Sequence, residues 1–177
     1  IFICFLLGND FLPHFPALNI RTTGIDSLLS VYRKTIGQTN DNLVVGSKII
    51  WKNFRKMLIE LAKDEEELIR REYDTRDKQA RSISKRKLNF EETFLALPLI
   101  DRRKELYINP YDRGWEERYY KTLFDIEIDD IRRKQISINY LEGLEWTLKY
   151  YTSGCTNWRW GYNYDYPPLL SDLVKYI

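Results

Sequence analysis

A mainly α-helical fold with irregular connecting segments is what this sequence predicts, on three observations. Apolar residues recur at helical spacing in several stretches. No clean alternation of apolar and polar residues, the mark of a half-buried strand, extends beyond a few short pieces. The prolines fall between those stretches, at Pro13 and Pro16, Pro98 and Pro110, and Pro167 and Pro168, where they break regular structure.

The elements follow in order. Ile1–Leu7 is an apolar run that periodicity alone leaves open between a buried strand and the end of a buried helix. Gly8 stops it, and Pro13 and Pro16 force an extended passage. Gly24–Lys34 reads as a helix, with Ile25, Leu28, Leu29 and Tyr32 on one stripe. Residues 37–42 form a loop. A second helix carries Ile50, Phe54, Met57, Leu58 and Leu61 on one face and is expected to run on through Lys63–Lys87. That continuation is nearly all polar, so it reads as a solvent-bridging or frayed helix with little to bury. Glu65, Glu66 and Glu67 precede Arg70 and Arg71 at the spacing of supporting ion pairs. Phe90–Pro110 is irregular, and Trp115–Phe124 is a short helix. Asp129–Tyr151 is the strongest helix in the sequence, with Leu141, Leu144, Leu148 and Tyr151 in register and Asp129 and Asp130 at its start, where acidic groups suit the helix dipole. Gly154 ends it, and the aromatic stretch Trp158–Tyr166 leads into Pro167-Pro168.

Composition narrows the function classes. With 177 residues, 44% hydrophobic and 31% charged, the chain can bury the core of one ordinary domain. That excludes a disordered chain and a disulfide-stapled miniprotein. No apolar run approaches the roughly 20 residues of a membrane span, and Ile1–Leu7 lacks the flanks of a signal peptide. Cys4 and Cys155 read as reduced thiols of an intracellular protein, and a single His argues against a His-based zinc site. The net charge of +2 neither demands nor excludes nucleic acid, because local patches outweigh the sum. The sequence opens inside an apolar run without an initiator Met, so it is expected to be a piece of a longer protein.

Two features could carry chemistry. Asp10 follows the apolar run in Leu7-Gly8-Asn9-Asp10-Phe11. A carboxylate on such a mount suits a hard cation such as Mg²⁺, although on the residues alone a turn capped by Asp10 or Asn9 is the more ordinary reading. The second feature is Trp158-Arg159-Trp160-Gly161-Tyr162-Asn163-Tyr164-Asp165-Tyr166. Exposed rings there would stack on bases of single-stranded nucleic acid, with Arg159 adding a phosphate or cation–π contact; the alternatives are core packing or a protein-binding surface. His14, between Pro13 and Phe15, reads as a packed loop residue rather than a base. Glu91-Glu92 and Asp129-Asp130 read as structural. The basic cluster Arg81, Lys85, Arg86 and Lys87 reads as a solvated loop or helix end, with a phosphate-contacting patch as its alternative.

The residues Phe5-Leu6-Leu7-Gly8-Asn9-Asp10-Phe11-Leu12-Pro13-His14-Phe15-Pro16 resemble the Gly-Asn-Asp-Phe-Leu-Pro-His block of the Xrn-type 5′→3′ exoribonucleases. Far downstream, Tyr140-Leu141-Glu142-Gly143-Leu144-Glu145-Trp146, Lys149-Tyr150-Tyr151, Gly154-Cys155, Trp158, Trp160, Tyr162, Tyr164, Tyr166, Pro168 and Ser171-Asp172 are similar to that family's second conserved region. Trp115, Arg118-Tyr119-Tyr120-Lys121 and Phe124 resemble the segment between. The pieces stand in the family's order.

The resemblance implies the helical C-terminal half of an α/β PIN/flap-endonuclease-like nuclease domain. Residues 1–62 would be the end of the nuclease core, 63–110 a polar helix and connector, and 111–177 the second conserved region. It implies hydrolysis of 5′-monophosphorylated single-stranded RNA to mononucleotides at an Asp/Glu cluster holding Mg²⁺, or Mn²⁺ in its place. Asp10 would be the last acidic member of that cluster and the catalytic metal ligand. Trp158 or Trp160 would stack on the 5′ nucleotides, beside Arg159, and Ile1–Leu7 would be the stub of a helix. The other carboxylates and the 5′-phosphate pocket would come from the N-terminal half of the same domain, so this stretch alone is expected to be inactive. The expected location is intracellular, cytoplasmic before nuclear. The family more often has an aromatic at the position of Gly161, Pro at Asn163, His at Asp165 and Ala at Pro167, which suggests a divergent or viral-type member. The competing expectations are a catalytically inactive homologue that binds single-stranded RNA or a protein, and a helical scaffold whose tyrosines only pack.

Overall fold

The computed structural model describes residues 1–85, 89, 91, 92 and 103–177. It is mainly helical, with one minimal hairpin. The opening run is a 3₁₀ helix, Phe2–Leu7, that buries Phe2, Phe5, Leu6 and Leu7, so the helical reading of that run holds and the strand does not. Gly8 ends it at φ 89°, a conformation that favours glycine. A Cβ there would also meet the His14 Cβ at 3.0 Å and the His14 nitrogen at 3.1 Å.

Helix α1 (Gly24–Thr35) is turned slightly from its expected stripe: Leu28, Val31 and Thr35 are buried, while Ile25 and Leu29 are exposed. After the loop, β1 (Val44–Val45) and β2 (Lys48–Ile49) pair antiparallel around Gly46 at φ 59°. Two residues per strand are too few to show alternation in a sequence. Helix α2 (Trp51–Ala62) buries Phe54, Met57, Leu58 and Leu61, the face the spacing predicts, and packs on α1.

The expected continuous polar helix is instead two helices. A turn at Lys63–Asp64 separates α2 from α3 (Glu65–Ser84). The first turns of α3 also have a partner to bury against: Glu65, Leu68, Ile69 and Glu72 are all buried. Both Glu65 oxygens accept backbone hydrogen bonds from the far end of the chain, from Leu170 N at 2.5 Å and Ser171 N at 3.0 Å. Glu72 is held by Asn19, Thr22 and Arg76. The Glu66–Arg70 and Glu67–Arg71 pairs form on the exposed side, where each contributes little. Arg86, Lys87 and most of the irregular connector lie outside the described residues. Asn89 and Glu92 cap one another, the Asn89 side chain accepting from Glu92 N and the Glu92 carboxylate from Asn89 N, so Glu92 does local structural work.

Beyond a 3₁₀ turn at Arg103–Tyr107, helix α4 (Trp115–Phe124) starts after Gly114 at φ 76°. Arg118 gathers the loop before it, donating to the carbonyls of Ile108, Asn109, Asp112 and Arg113 at 2.7–3.0 Å. Helix α5 (Asp130–Ser153) begins at the N-cap Asp129, whose side chain accepts from Arg132 N at 2.7 Å, and stops at Gly154, φ 89°. It buries Ile136, Tyr140, Leu141, Gly143, Leu144, Thr147 and Leu148. Tyr151, the last residue of its expected stripe, is exposed but for ring contacts with Phe5, Phe11 and Tyr150. The short α6 (Leu170–Leu173) and a 3₁₀ turn at Val174–Tyr176 close the chain. No helix among the described residues is long and apolar enough to cross a membrane.

The C-terminal segment is stitched in by buried polar groups. Tyr119 donates to the Pro167 carbonyl at 2.8 Å. Tyr120 donates to Asp172 at 2.7 Å and accepts from Leu169 N at 3.1 Å. Arg133 and Lys175 also bond Asp172, at 2.6 and 2.7 Å. Burial alone would raise the Asp172 carboxyl. The bonds from Lys175 and Tyr120 and the Arg133 charge outweigh it and hold the carboxyl below its usual range.

Glu65 behaves oppositely. Burial pushes its carboxyl up to about 7, offset only in part by the two backbone N–H groups and the Ser171 side chain. The folded protein thus keeps this proton well above the ordinary carboxyl value of 4.5. Stability from the protonated form is complete below that value and is lost as pH rises through about 7. Between about pH 5 and about pH 8 this group should cost about 3 kcal/mol of stability. Urea midpoints of the wild type and of Glu65→Gln, which is neutral throughout, should diverge across that range; parallel pH profiles would refute the assignment.

Candidate functional site

Two short turns carry the residues singled out in the sequence, and both are built by an asparagine. In the first, Asn9 Oδ1 accepts from Phe11 N at 2.9 Å and Leu12 N at 3.0 Å, while Asn9 N donates to the Leu12 carbonyl at 3.0 Å. Phe15 N closes back onto the Leu6 carbonyl at 3.2 Å. Asp10 is left exposed at the tip, and its carboxylate bonds no group among the described residues. His14 is half-buried against Gly8.

The second turn spans 157–160. Asn157 Oδ1 accepts from Arg159 N at 3.0 Å, and the Asn157 carbonyl accepts from Trp160 N at 3.3 Å and from the Trp146 indole at 3.0 Å. Trp158 stands at the tip with 82% of its surface exposed and no aromatic partner among the described residues. Arg159 is also exposed. Trp160 folds back onto α5 instead, stacked on Trp146 with centroids 5.3 Å apart and planes at 26°. The two tryptophans therefore have different surroundings: one ring is free and the other is packed.

Trp146 joins the two turns. It stacks on Tyr150 at 5.3 Å and 13°, and Phe11 sets its edge against both Trp146 and Tyr150 at 4.9 Å. A ladder Trp160–Trp146–Tyr150 thus runs along α5, with the residue after Asp10 packed on its side. Tyr140, one turn of helix and more upstream, bonds the Pro13 carbonyl at 2.9 Å and packs edge-on to Phe15 and Tyr162, which fixes both passages to the same helix. Sequence reasoning left out Asn157 and gave Phe11, Trp146 and Tyr150 no role beyond the motifs they stand in. The available signal was the i,i+4 spacing of Trp146 and Tyr150 on a helix already carrying Gly143 three residues before Trp146.

Gly143 is the closest approach in the site. A Cβ on it would lie 2.6 Å from Leu12 Cδ2 and 2.7 Å from Trp160 Cη2, one atom from each turn. Two tyrosines of the aromatic stretch pack rather than project: Tyr162 donates to the Tyr166 carbonyl at 2.7 Å, and Tyr164 packs on Phe124 and Tyr162.

Asp10 has no companions for a metal site among the described residues, which hold no group of three or more His, Cys, Asp or Glu side chains able to share a cation. One buried polar group beside it is unanswered: Asn9 Nδ2 has no hydrogen-bond partner among those residues.

Comparison with known proteins places the chain. The model of the Xrn1 helical domain family matches residues 1–104 and 107–176. The chain is 28% identical over 223 residues to a 5′-3′ exoribonuclease 2 homolog of Drosophila melanogaster, covering 99% of this chain and 24% of that protein. It is 24% identical over 238 residues to the 5′-3′ exoribonuclease 2 of Gallus gallus, covering 97% and 25% respectively. With the 5′-3′ exoribonuclease 2 of Arabidopsis thaliana it shares 25% over 256 residues, covering 98% and 25%. The chain therefore spans about a quarter of the length of the curated relatives it matches. The alignments run longer than its 177 residues, so the relatives carry extra residues inside the matched stretch.

If Gly143 is what lets both turns sit on α5, the ordinary gain of about 1 kcal/mol for Gly→Ala in a helix reverses here. Gly143→Ala should destabilise the protein by about 1–3 kcal/mol through overpacking against Leu12 and Trp160. Chemical denaturation of the variant checks this, and a gain in stability would refute the close approach.

Proposed function

The chain belongs to the Xrn1 helical domain family, and from that premise we propose that it is the helical part of a Mg²⁺-dependent 5′→3′ exoribonuclease acting on 5′-monophosphorylated single-stranded RNA. The observation that carries the reading is the sharing of Trp146: the turn that offers Asp10 and the turn that offers Trp158 are packed on one aromatic ladder. A carboxylate and a free aromatic face on a common rigid support are what cleavage next to a stacked nucleotide needs.

The donor set fits a divalent cation only in part. Asp10 supplies one exposed carboxylate with no competing partner among the described residues, and a hard cation accepts one such ligand beside water and phosphate oxygens. The remaining carboxylates, and the 5′-phosphate pocket, are assigned to the N-terminal half of the same domain. The orphaned Asn9 amide beside Asp10 supports a site completed by groups outside the described residues. When bound, Mg²⁺ or Mn²⁺ would lower the pKa of a water nucleophile and neutralise charge on the phosphoryl oxygens. Asn9 holds the backbone that aims the Asp10 oxygens, and Phe11 clamps that turn to α5. Trp158 offers its free face to a base, and Arg159 beside it offers a guanidinium to the adjoining phosphate. The isolated 177 residues are then inactive.

Two outcomes test this in the complete protein. Asp10→Ala should abolish turnover while leaving RNA affinity nearly unchanged. A fully active Asp10→Ala protein would remove the ligand assignment, and a wild type that binds RNA but never cleaves it would leave an RNA-binding homologue. Trp158→Ala should weaken engagement of the RNA 5′ end by about 1–3 kcal/mol with no change in melting temperature. Trp160→Ala should instead lower the melting temperature, because it empties the stack on Trp146. Equal effects of the two on stability would overturn the division between the free and the packed ring.

A further inference from the structure

The outer face of α2 carries a charge pattern that neither the core nor the Asp10 site explains. Lys52, Arg55 and Lys56 lie at i, i+3 and i+4, on the side away from the buried Phe54, Met57, Leu58 and Leu61. All three are exposed, and none has a carboxylate partner among the described residues. With Lys34, Gln38 and Thr39 they line an open groove of about 610 Å³ between α1 and α2. A neighbouring cleft of about 430 Å³ shares Lys34 and Gln38 and adds Arg33, so the basic floor continues across the end of α1.

The arrangement is unfavourable for the free protein. Like charges at i, i+3 and i+4 repel one another. Lys52 stands in the first turn of α2, where the helix dipole is already positive, and that turn holds no acidic residue. Glu60 is the acidic residue of the larger groove, and it is already occupied: the hydrogen bonds from Lys34 and Lys63 hold its carboxyl down at about 2. The smaller cleft adds Asp26 at its far edge. Unpaired cations, a positive helix end and no free acid along the larger groove all call for an anionic partner. The lining excludes most kinds. It has no aromatic ring for a base, and Ile59 is its one large apolar side chain, too little to anchor a protein. Contacts of this type, cations and amides without rings, are those made to a phosphodiester backbone independently of sequence.

We infer that the α1–α2 groove is a second, sequence-independent RNA contact, in which Lys52, Arg55 and Lys56 hold backbone phosphates of the strand apart from the Asp10 turn. That the polyanion is RNA rests on the proposed function above. The groove shares no residue with the Asp10 turn, the Trp158 turn or the ladder between them.

The test is a salt titration on the complete protein in EDTA, with a fluorescent oligouridylate of about 20 nucleotides read by anisotropy. Each lost phosphate contact on a single strand removes about 0.7 from the slope of log K against log salt. Lys52→Gln/Arg55→Gln/Lys56→Gln should therefore flatten that slope by about two and weaken binding on the order of 10- to 100-fold at ~0.1 M salt. Lys104→Gln/Lys121→Gln/Lys134→Gln makes the same change in net charge on other elements, and its slope should stay near that of the wild type. Equal flattening in both triple variants would reduce the effect to net charge and overturn the groove. An unchanged slope in the α2 variant, with wild-type RNA binding intact, would overturn the groove and leave the exoribonuclease reading standing. Absence of RNA binding by the wild type would sink that reading and the groove with it. Loss of poly-glutamate binding with RNA binding retained would mean that the partner is an acidic polypeptide, and would likewise overturn the proposal.

Discussion

The missing side chain at Gly143 is the constraint on which the arrangement of the site depends. Helix α5 can lie against both turns because nothing projects from its backbone at that point: Leu12 and Trp160 each come within contact of where a Cβ would be. The rest follows from that approach. Trp160 is near enough to stack on Trp146, Trp146 to stack on Tyr150, and Phe11 to press its edge on both. Asp10 and Trp158, separated by most of the chain, are held by one helix rather than by each other. Such a site inherits the rigidity of a helix of 24 residues while keeping its working atoms on exposed tips.

A second constraint secures that helix from behind. The C-terminal segment returns across α3, α4 and α5 and is tied down by polar groups with little water around them. The two buried carboxylates there solve the same problem differently. Asp172 receives Arg133, Lys175 and the Tyr120 hydroxyl, so its charge is favoured in place. Glu65 receives only neutral donors, the backbone N–H groups of Leu170 and Ser171 and the Ser171 side chain, and burial leaves it holding its proton to higher pH. Any other docking of the segment would leave one of these carboxylates buried without its partners, at the cost of an unsatisfied polar group.

Much of this was legible in the sequence, and the rest was hidden for identifiable reasons. Helices α1, α2, α4 and α5 announce themselves by spacing, and the Asp129 cap and the Gly154 stop are local signals that tertiary structure respected. The break at Lys63–Asp64 was not legible, because neither residue forbids a helix; it is imposed by the docking of Glu65 on residues 170–171. Polar composition made α3 look solvated, yet Glu65 and Glu72 are buried and bonded to groups far away in sequence, at residues 170–171 and at Asn19 and Thr22. Asp10 was visible because a carboxylate beside a Gly-Asn turn is a local pattern. The difference between Trp158 and Trp160 was not, since it depends on the Asn157 turn and on the Trp146 stack. The cations of α2 were visible as letters but drew no reading beside the helix's apolar face; the pairing of Glu60 with Lys34 and Lys63 shows that they are left over.

A net charge of +2 neither demands nor excludes a polyanion partner. The structure shows segregation of charge. The carboxylates of α3 and of the C-terminal segment are largely consumed by arginines, lysines and backbone donors within the fold. Cations on the outer face of α2 and an anion at the Asp10 tip are some of the charges left without partners among the described residues. A lone carboxylate repels phosphate, so a tip that offers one can meet a nucleic acid only where a cation intervenes, and the attractive field has to come from elsewhere. Under the proposed function, separating the two charges serves that need: cations beside Asp10 would neutralise it and compete for its oxygens, whereas cations on another helix would draw the polymer without disturbing a metal ligand. The spacing of unpaired charge over the surface, more than its sum, is therefore what the proposed work beside a metal on an anionic substrate would draw on.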